Sequence, residues 1–397
     1  MEGLDLVLNK LEAFKAADFE GYNTERLRML ATARKLVSRL QSNGEKAYEI
    51  AYQQSLVDAA LRVCLDIGLW HGWTAAGGGE KPVEELVKLT TQACELNLLR
   101  RLLRLLGAAN IIEETGENRY KPTSFSLSIG DDSTCMAQAI ISKTDHWDMS
   151  HLNLPSFLAK TSYREPKDAK NTSYIDASPE KLPIFDRFLT KKSYRDSLRG
   201  FLFEYSKYRV SWPEFYDTVS LIEGADLTSG SPLVVDVGGL HGADLIKVLD
   251  KHPDLPAGSL VLQDLAGAIS GVTLSTDKIR LMEYNFFTPE PLHGSRAYFL
   301  HMVLHDWPDE LAVQILQNLK PALKRGYSKI LICEIVMPRT GASMYQASLD
   351  VSLMANLSAY ERTEAEWKKV INEAGLEMVS VTMDPRGFEG VIEVELA

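Results

Sequence analysis

His305 and Asp306 stand together in LHDWPDE, Glu334 lies in CEIVMP and Glu361 in AYERTE. A histidine titrates near neutrality, so it can take the proton of a hydroxyl that is becoming a nucleophile. A carboxylate on the other ring nitrogen fixes the tautomer and supports the imidazolium, a role open to Glu334 or Glu361. Taken singly, these residues read as a histidine packed beside Trp307, a solvated strand end and a helix-start acid favoured by the macrodipole. Together, at successive strand ends or loops, they read as a catalytic constellation with His305 as general base. His146 and His151 share a different segment, HWDMSH. Five residues apart, they do not share one clean helical face, and no third ligand lies near, so no metal site is expected. His146, beside Trp147, reads equally as a substrate-pocket residue or as packing.

A second group of residues reads as a ligand loop. LVVDVGG ends in Gly238 and Gly239, followed by Leu240, His241 and Gly242. At a strand–helix turn of this kind glycine lets the backbone approach a ligand closely. Asp264, in VLQDL, falls 22 residues after Gly242, where an acid hydrogen-bonds ribose hydroxyls. The glycine spacing is not GxGxxG, which weakens a dinucleotide reading. Asp236, just ahead of the glycines, suits the ammonium group of S-adenosylmethionine (SAM).

These groups need a scaffold that brings strand ends together. VVDV, SLVLQDL, IRLMEYNFF, AYFLHMVL and KILICEIVM read as strands, separated by helices such as ADLIKVLDKHP, ELAVQILQNLKPAL and EAEWKKVINEAG. That alternation predicts an α/β fold over 226–397, a doubly wound parallel sheet, with EMVSVTM and GVIEVELA adding an antiparallel edge. Residues 1–130 read as mostly helical, with a break at Gly77–Gly79 and a hairpin turning at Gly116–Asn118. Helices ending in a hairpin suggest a winged-helix-like arrangement, and without a basic stripe its role is dimerisation or a substrate lid. Residues 131–225 carry aromatic-rich helical pieces joined by a polar loop, a bridge between domains and a roof for an apolar pocket.

The chain has 397 residues and a net charge of −11. That charge argues against a nucleic-acid partner and an anionic membrane surface. No apolar run approaches the roughly 18–20 residues that span a bilayer. The N-terminal MEGLDLVLNKLEAF reads as an amphipathic helix and not as a signal peptide. Cys64, Cys94, Cys135 and Cys333 form no CxxC pair and read as buried thiols in a reducing cytosol.

Along VVDVGG, YNFFTPEP, YFLHMVLHDWPDE, YSKILICEIVMP, ERTEAEW and VIEVELA the chain resembles the SAM-dependent O-methyltransferases of the plant caffeate and fungal secondary-metabolite type. The resemblance runs over nearly the whole chain, and HDWPD followed by ERTE is specific for that family. It implies a Rossmann-like class I methyltransferase domain, a winged-helix-like N-terminal dimerisation domain and a homodimer whose partner helps close the site. It also implies His305 as base and Glu334 and Glu361 as its flanking acids. The implied cofactor positions are Asp236, Gly238, Gly239, Gly242, Asp264, Leu265, Asn285, Phe286, His301 and Asp306. Two positions depart from the family pattern: Leu240 replaces the usual third glycine, and Asn285 replaces the usual acid.

The chain is also similar, in AGGGEKPVEEL and LLRRLLRLL, to the SAM-bound pericyclases of this fold, such as that of leporin biosynthesis. There arginine holds the base position and a mid-chain histidine joins it. His305 favours methyl transfer, whereas His146, at about that histidine's place, favours the pericyclase. The expected activity is methylation of a hydroxyl on a polyketide-like or phenolic molecule. The alternative is a pericyclic reaction (Diels–Alder, hetero-Diels–Alder or Alder-ene, with or without dehydration) that leaves SAM intact. A catalytically silent SAM-binding partner is a third reading, opposed by the retained His305, Glu334 and Glu361.

Overall fold

The computed structural model describes residues 2–19, 23–227, 230–270 and 272–397. Its contacts divide the chain once, into Met1–Asp131 and Asp132–Ala397. From Asp132 onward the aromatic-rich stretch therefore belongs with the C-terminal sheet.

The first unit contains helices α1 (Glu2–Ala13), α2 (Asn23–Leu40), α3 (Gln54–Asp66), α4 (Leu69–Ala75) and α5 (Leu96–Ala108). Strands β1 (Lys81–Pro82), β2 (Ile112–Gly116) and β3 (Arg119–Pro122) form a small sheet in the order β1-β3-β2. Helix α5 shows why these sequences fold as they do. Leu99, Leu103 and Leu106 recur at helical spacing and are fully buried, while Arg101 and Arg104 stay exposed. Helix α2 differs: none of its 18 residues is buried.

In the second unit a π-helical turn (Lys143–Trp147) runs into α6 (Asp148–Lys160), followed by α7 (Ile184–Thr190) and α8 (Lys192–Lys207). Then come β4 (Val234–Val237), α9 (Ala243–Lys251), β5 (Leu260–Asp264), β6 (Ile279–Glu283), β7 (Ala297–His301) and α10 (Asp309–Leu319). The chain closes with β8 (Lys329–Ile335), α11 (Met344–Leu357), α12 (Glu364–Glu373), β9 (Leu376–Met383) and β10 (Glu389–Leu396).

Seven strands form one sheet, ordered β6-β5-β4-β7-β8-β10-β9. Strands β4 to β8 pair in parallel, β10 runs antiparallel to β8 with Cys333 opposite Val391, and β9 pairs antiparallel to β10. The antiparallel edge is the one read from the sequence. The central strands are apolar on both faces. Tyr298, Leu300, Ile330, Ile332 and Ile392 face one layer with Ile315 of α10 and Trp367 of α12. Phe299, Leu331, Cys333 and Val391 face the other, with Trp212 and with Leu245 of α9. After β4 the chain builds outward through β5 and β6, then returns to β7 on the other side of β4. That reversal opens a crevice at the carboxyl ends of the strands.

Three expectations need correction. IRLMEYNFF is strand only over Ile279–Glu283, because Tyr284 and Asn285 begin a turn closed by the Asn285 carbonyl. AYFLHMVL leaves the sheet at His301, because Met302 takes φ +54° and turns the backbone. Among the cysteines, all free, only Cys64 and Cys333 are buried; Cys94, in the loop before α5, and Cys135, in a left-handed turn, are half-buried.

Candidate active site

Beyond the Met302 turn, Leu304–Asp306 form a short 3₁₀ turn that carries His305. Glu334, near the end of β8, holds this turn from beneath. Its Oε1 accepts the backbone N–H groups of Val303 (3.0 Å), Leu304 (2.8 Å) and His305 (3.3 Å). Glu361 takes the ring: His305 Nδ1 donates to its Oε1 at 2.9 Å, while Glu334 Oε2 stands 3.7 Å away. Sequence reading left the two acids interchangeable; the structure gives the tautomer to Glu361 and the backbone to Glu334. The proton on Nδ1 leaves Nε2 as the basic nitrogen, with Asp306 Oδ1 3.4 Å away.

His305 is only 5% exposed. Burial opposes its charge, but Glu334, Glu361 and Asp306 outweigh it and push the imidazole up to about 10. Burial in turn lifts Asp306 to about 7.

Arg362, fully buried, was not foreseen. Its guanidinium donates to the carbonyls of Leu304 (3.0 Å) and Trp307 (2.8 Å) and to Asp309 Oδ1 (3.0 Å). It thereby clamps both sides of His305. The next residue, Thr363, caps α12 in a reciprocal box with Glu366. One signal was present: an arginine directly after a candidate acid, at a helix start.

The glycine loop lies at the end of β4. Asp236 is 1% exposed, and neither carboxylate oxygen has a hydrogen-bond partner. Burial, then the neighbouring Asp244 and Asp264, raise its carboxyl well above the usual range. A buried acid without a partner is costly, and a bound cation would relieve it. Gly239 is required by space, since a Cβ there would lie 2.2 Å from Asp236 Oδ2. Gly238 and Gly242 take φ +81° and +76°. Leu240 takes φ +50°, which explains glycine as the family's usual residue and leaves local strain here. Asp264 accepts the N–H groups of Leu240 (3.0 Å) and of exposed Leu265 (2.7 Å). Phe286 stands beside the loop, 3.8 Å from where a Gly238 Cβ would be. Asn285 is exposed and caps its own turn by accepting from the Phe287 N–H at 3.0 Å. A cavity of about 420 Å³ borders the loop at Leu240 and His241, walled by Arg199 and Phe203 of α8 and by Val272.

Two predicted residues have other work. His301 Nδ1 bonds Asp244 Oδ2 at 2.8 Å, and its Nε2 meets Arg209 at 2.9 Å. Arginine only donates, so Nε2 accepts, and neither ring nitrogen remains for a ligand. Arg209 also lies 3.5 Å from buried Glu389, a second unforeseen pair. His301, Cys333 and Glu389 have ligand atoms within 4.8 Å, but Arg209 already supplies the cation there. His305, Glu334 and Glu361 have the same spacing, with Glu334 Oε1 committed to the backbone and His305 Nδ1 to Glu361.

His146 is fully buried in the π-helical turn. Arg187 donates to its Nδ1 at 2.9 Å, Ser197 Oγ lies 3.5 Å from Nε2, and Phe188 and Tyr194 flank the ring edge-on. Burial and the Arg187 charge push it down to about 4. Its hydrogen-bond network shares no member with that of His305 among the described residues. His151 bonds Ser352 at 3.0 Å instead of joining His146.

A parallel sheet with a glycine loop at its switch point and a carboxylate-held histidine on the next loop defines a Rossmann-type enzyme. Residues 216–377 match the family profile for an O-methyltransferase domain. O-methyltransferase ATR12 of Stachybotrys chlorohalonatus is 43% identical over 98% of each chain. O-methyltransferase mfmE of Annulohypoxylon moriforme is 34% identical over 96% of this chain and 93% of its own. The chain belongs to the O-methyltransferase family. Its fold is shared with LepI in complex with SAM (TM-score 0.88, 24% identity, 100% and 98% of the two chains). It is also shared with OxaC in complex with S-adenosylhomocysteine (SAH) and oxaline (TM-score 0.83, 23% identity, 98% and 96%).

Proposed function

We propose that the protein methylates a hydroxyl group on a phenolic or polyketide-like small molecule, with SAM as methyl donor and His305 as general base. The observation that carries this reading is His305, held through Nδ1 by Glu361 with Nε2 basic, at the strand-end crevice that also contains the partnerless Asp236.

The donor set fits SAM. The Asp236 carboxylate would face its ammonium group, and Asp264 would accept from the ribose hydroxyls. Gly238 and Gly239 would admit the ligand against backbone, with Phe286 giving an apolar side. When bound, SAM supplies an electrophilic methyl group. The rest is done by this chain. His305 Nε2 removes the hydroxyl proton as the oxygen attacks, and Glu361 stabilises the imidazolium that results. Glu334 and Arg362 fix the turn that sets the attack geometry, and such positioning provides much of the rate. The first unit, read as a winged-helix-like dimerisation domain, would pair two copies of the chain in the cytoplasm.

The test is a product assay with SAM and a panel of hydroxylated aromatic polyketides, following SAH by mass spectrometry. SAH formed one-to-one with a product heavier by a methyl group supports the reading. Substrate conversion with SAM unchanged would replace it with the pericyclase, for which the taken-up nitrogens of His146 offer no support.

A further inference from the structure

His146 spends both ring nitrogens on protein neighbours, but the next residue does not. The indole Nε1 of Trp147 is buried and has no hydrogen-bond partner. Buried indole N–H groups ordinarily find one. Trp70, Trp73 and Trp367 do so here, on the carbonyls of Leu61, Gly79 and Ile335. Trp212 is the other orphan, but it is sealed in the core beneath the sheet, stacked 4.5 Å from Phe299. Trp147 is only half-buried and belongs to a row of rings.

That row leads to the proposed base. The Trp147 ring lies 5.8 Å from Phe201, which stacks on Tyr205 at 5.8 Å and 11°. Tyr205 hydrogen-bonds Tyr345, and Glu361, the partner of His305, is near enough to act on the Tyr205 phenol. A flat molecule with a hydroxyl at His305 that lay along these rings would pass Tyr205 and Phe201 to reach Trp147, two ring-steps beyond Tyr205. An unspent N–H at that end calls for an acceptor oxygen.

Resting on the methyltransferase reading, we propose that Trp147 is a specificity-determining residue whose indole N–H donates to a carbonyl oxygen of a multi-ring substrate, at the far end from the methylated hydroxyl. The preferred substrates are then hydroxylated ring systems of the quinone or ketone class, not plain phenols. Such a donor discriminates because an acceptor-free ligand leaves it buried and unpaired.

The experiment measures calorimetric binding of 2-acetyl-6-hydroxyanthracene and of 2-ethyl-6-hydroxyanthracene to the SAH-loaded protein. Wild type should favour the ketone about tenfold, the scale of one neutral hydrogen bond. Trp147→Phe should abolish that preference with SAH affinity unchanged, which also shows that the variant folds. Should Trp147→Phe fail to bind SAH, 3-benzothienylalanine at position 147 keeps the ring and removes only the N–H; the preference should vanish there too. Equal affinity for the two ligands in wild type, binding of neither, or a preference that survives loss of the N–H overturns the proposal. None of these readings requires turnover, so failure of methyl transfer is scored separately in the product assay.

Discussion

The acids around His305 keep its proton on at neutral pH, since they push the imidazole up to about 10 against the effect of burial. A base must be deprotonated before it can accept, so kcat/KM for methyl transfer should climb with pH toward about 10. In Glu361→Gln one of those acids is lost, His305 falls, and the rising limb should move to lower pH while kcat drops. A limb that stays in place would separate Glu361 from the base. His305→Ala should cost several orders of magnitude in kcat and leave the calorimetric affinity for SAH nearly intact. Asp236 should behave in the opposite way. Asp236→Asn should weaken SAH at least tenfold by calorimetry without lowering the thermal midpoint of the free protein, because the buried carboxyl has no partner to lose.

The turn between β7 and α10 owes its shape to two clamps from other parts of the chain. Arg362→Met should remove three hydrogen bonds from a fully buried site and destabilise the protein by about 3 kcal/mol or more in denaturant unfolding. Arg362→Lys should recover little, because lysine lacks the fork that spans both carbonyls. In the glycine loop, Leu240→Gly should relieve a left-handed leucine worth about 1 kcal/mol and bind SAH no more weakly than wild type. A loss of affinity would mean that the Leu240 side chain touches the ligand.

At the scale of the whole molecule, the first unit exposes apolar surface that its own fold does not cover. Val37 and Leu40 on α2, Leu6 and Leu11 on α1, and Ile50 and Tyr52 nearby are all exposed. Single exposed apolar residues are ordinary, but an 18-residue helix with none buried is what the proposed pairing of two copies would cover. Removing residues 2–40 should convert the proposed dimer to a monomer in sedimentation velocity. A full-length chain that sediments as a monomer at micromolar concentration would refute the pairing.

Periodicity and spacing were enough to read much of this protein. Alternating apolar strands and amphipathic helices gave the sheet and its antiparallel edge. Glycines beside Asp236, with an acid at Asp264, gave the loop, because tight turns and strand ends are encoded by neighbours in the chain. Tertiary structure alone decided which acid takes which job at His305. It also decided that His146 is held by Arg187 and Ser197, that His301 is held by Asp244 and Arg209, and that Arg362 is the clamp. Those choices rest on hydrogen bonds between residues 29 to 92 positions apart. No local propensity or period encodes such pairings; they exist only once the sheet has set the distances.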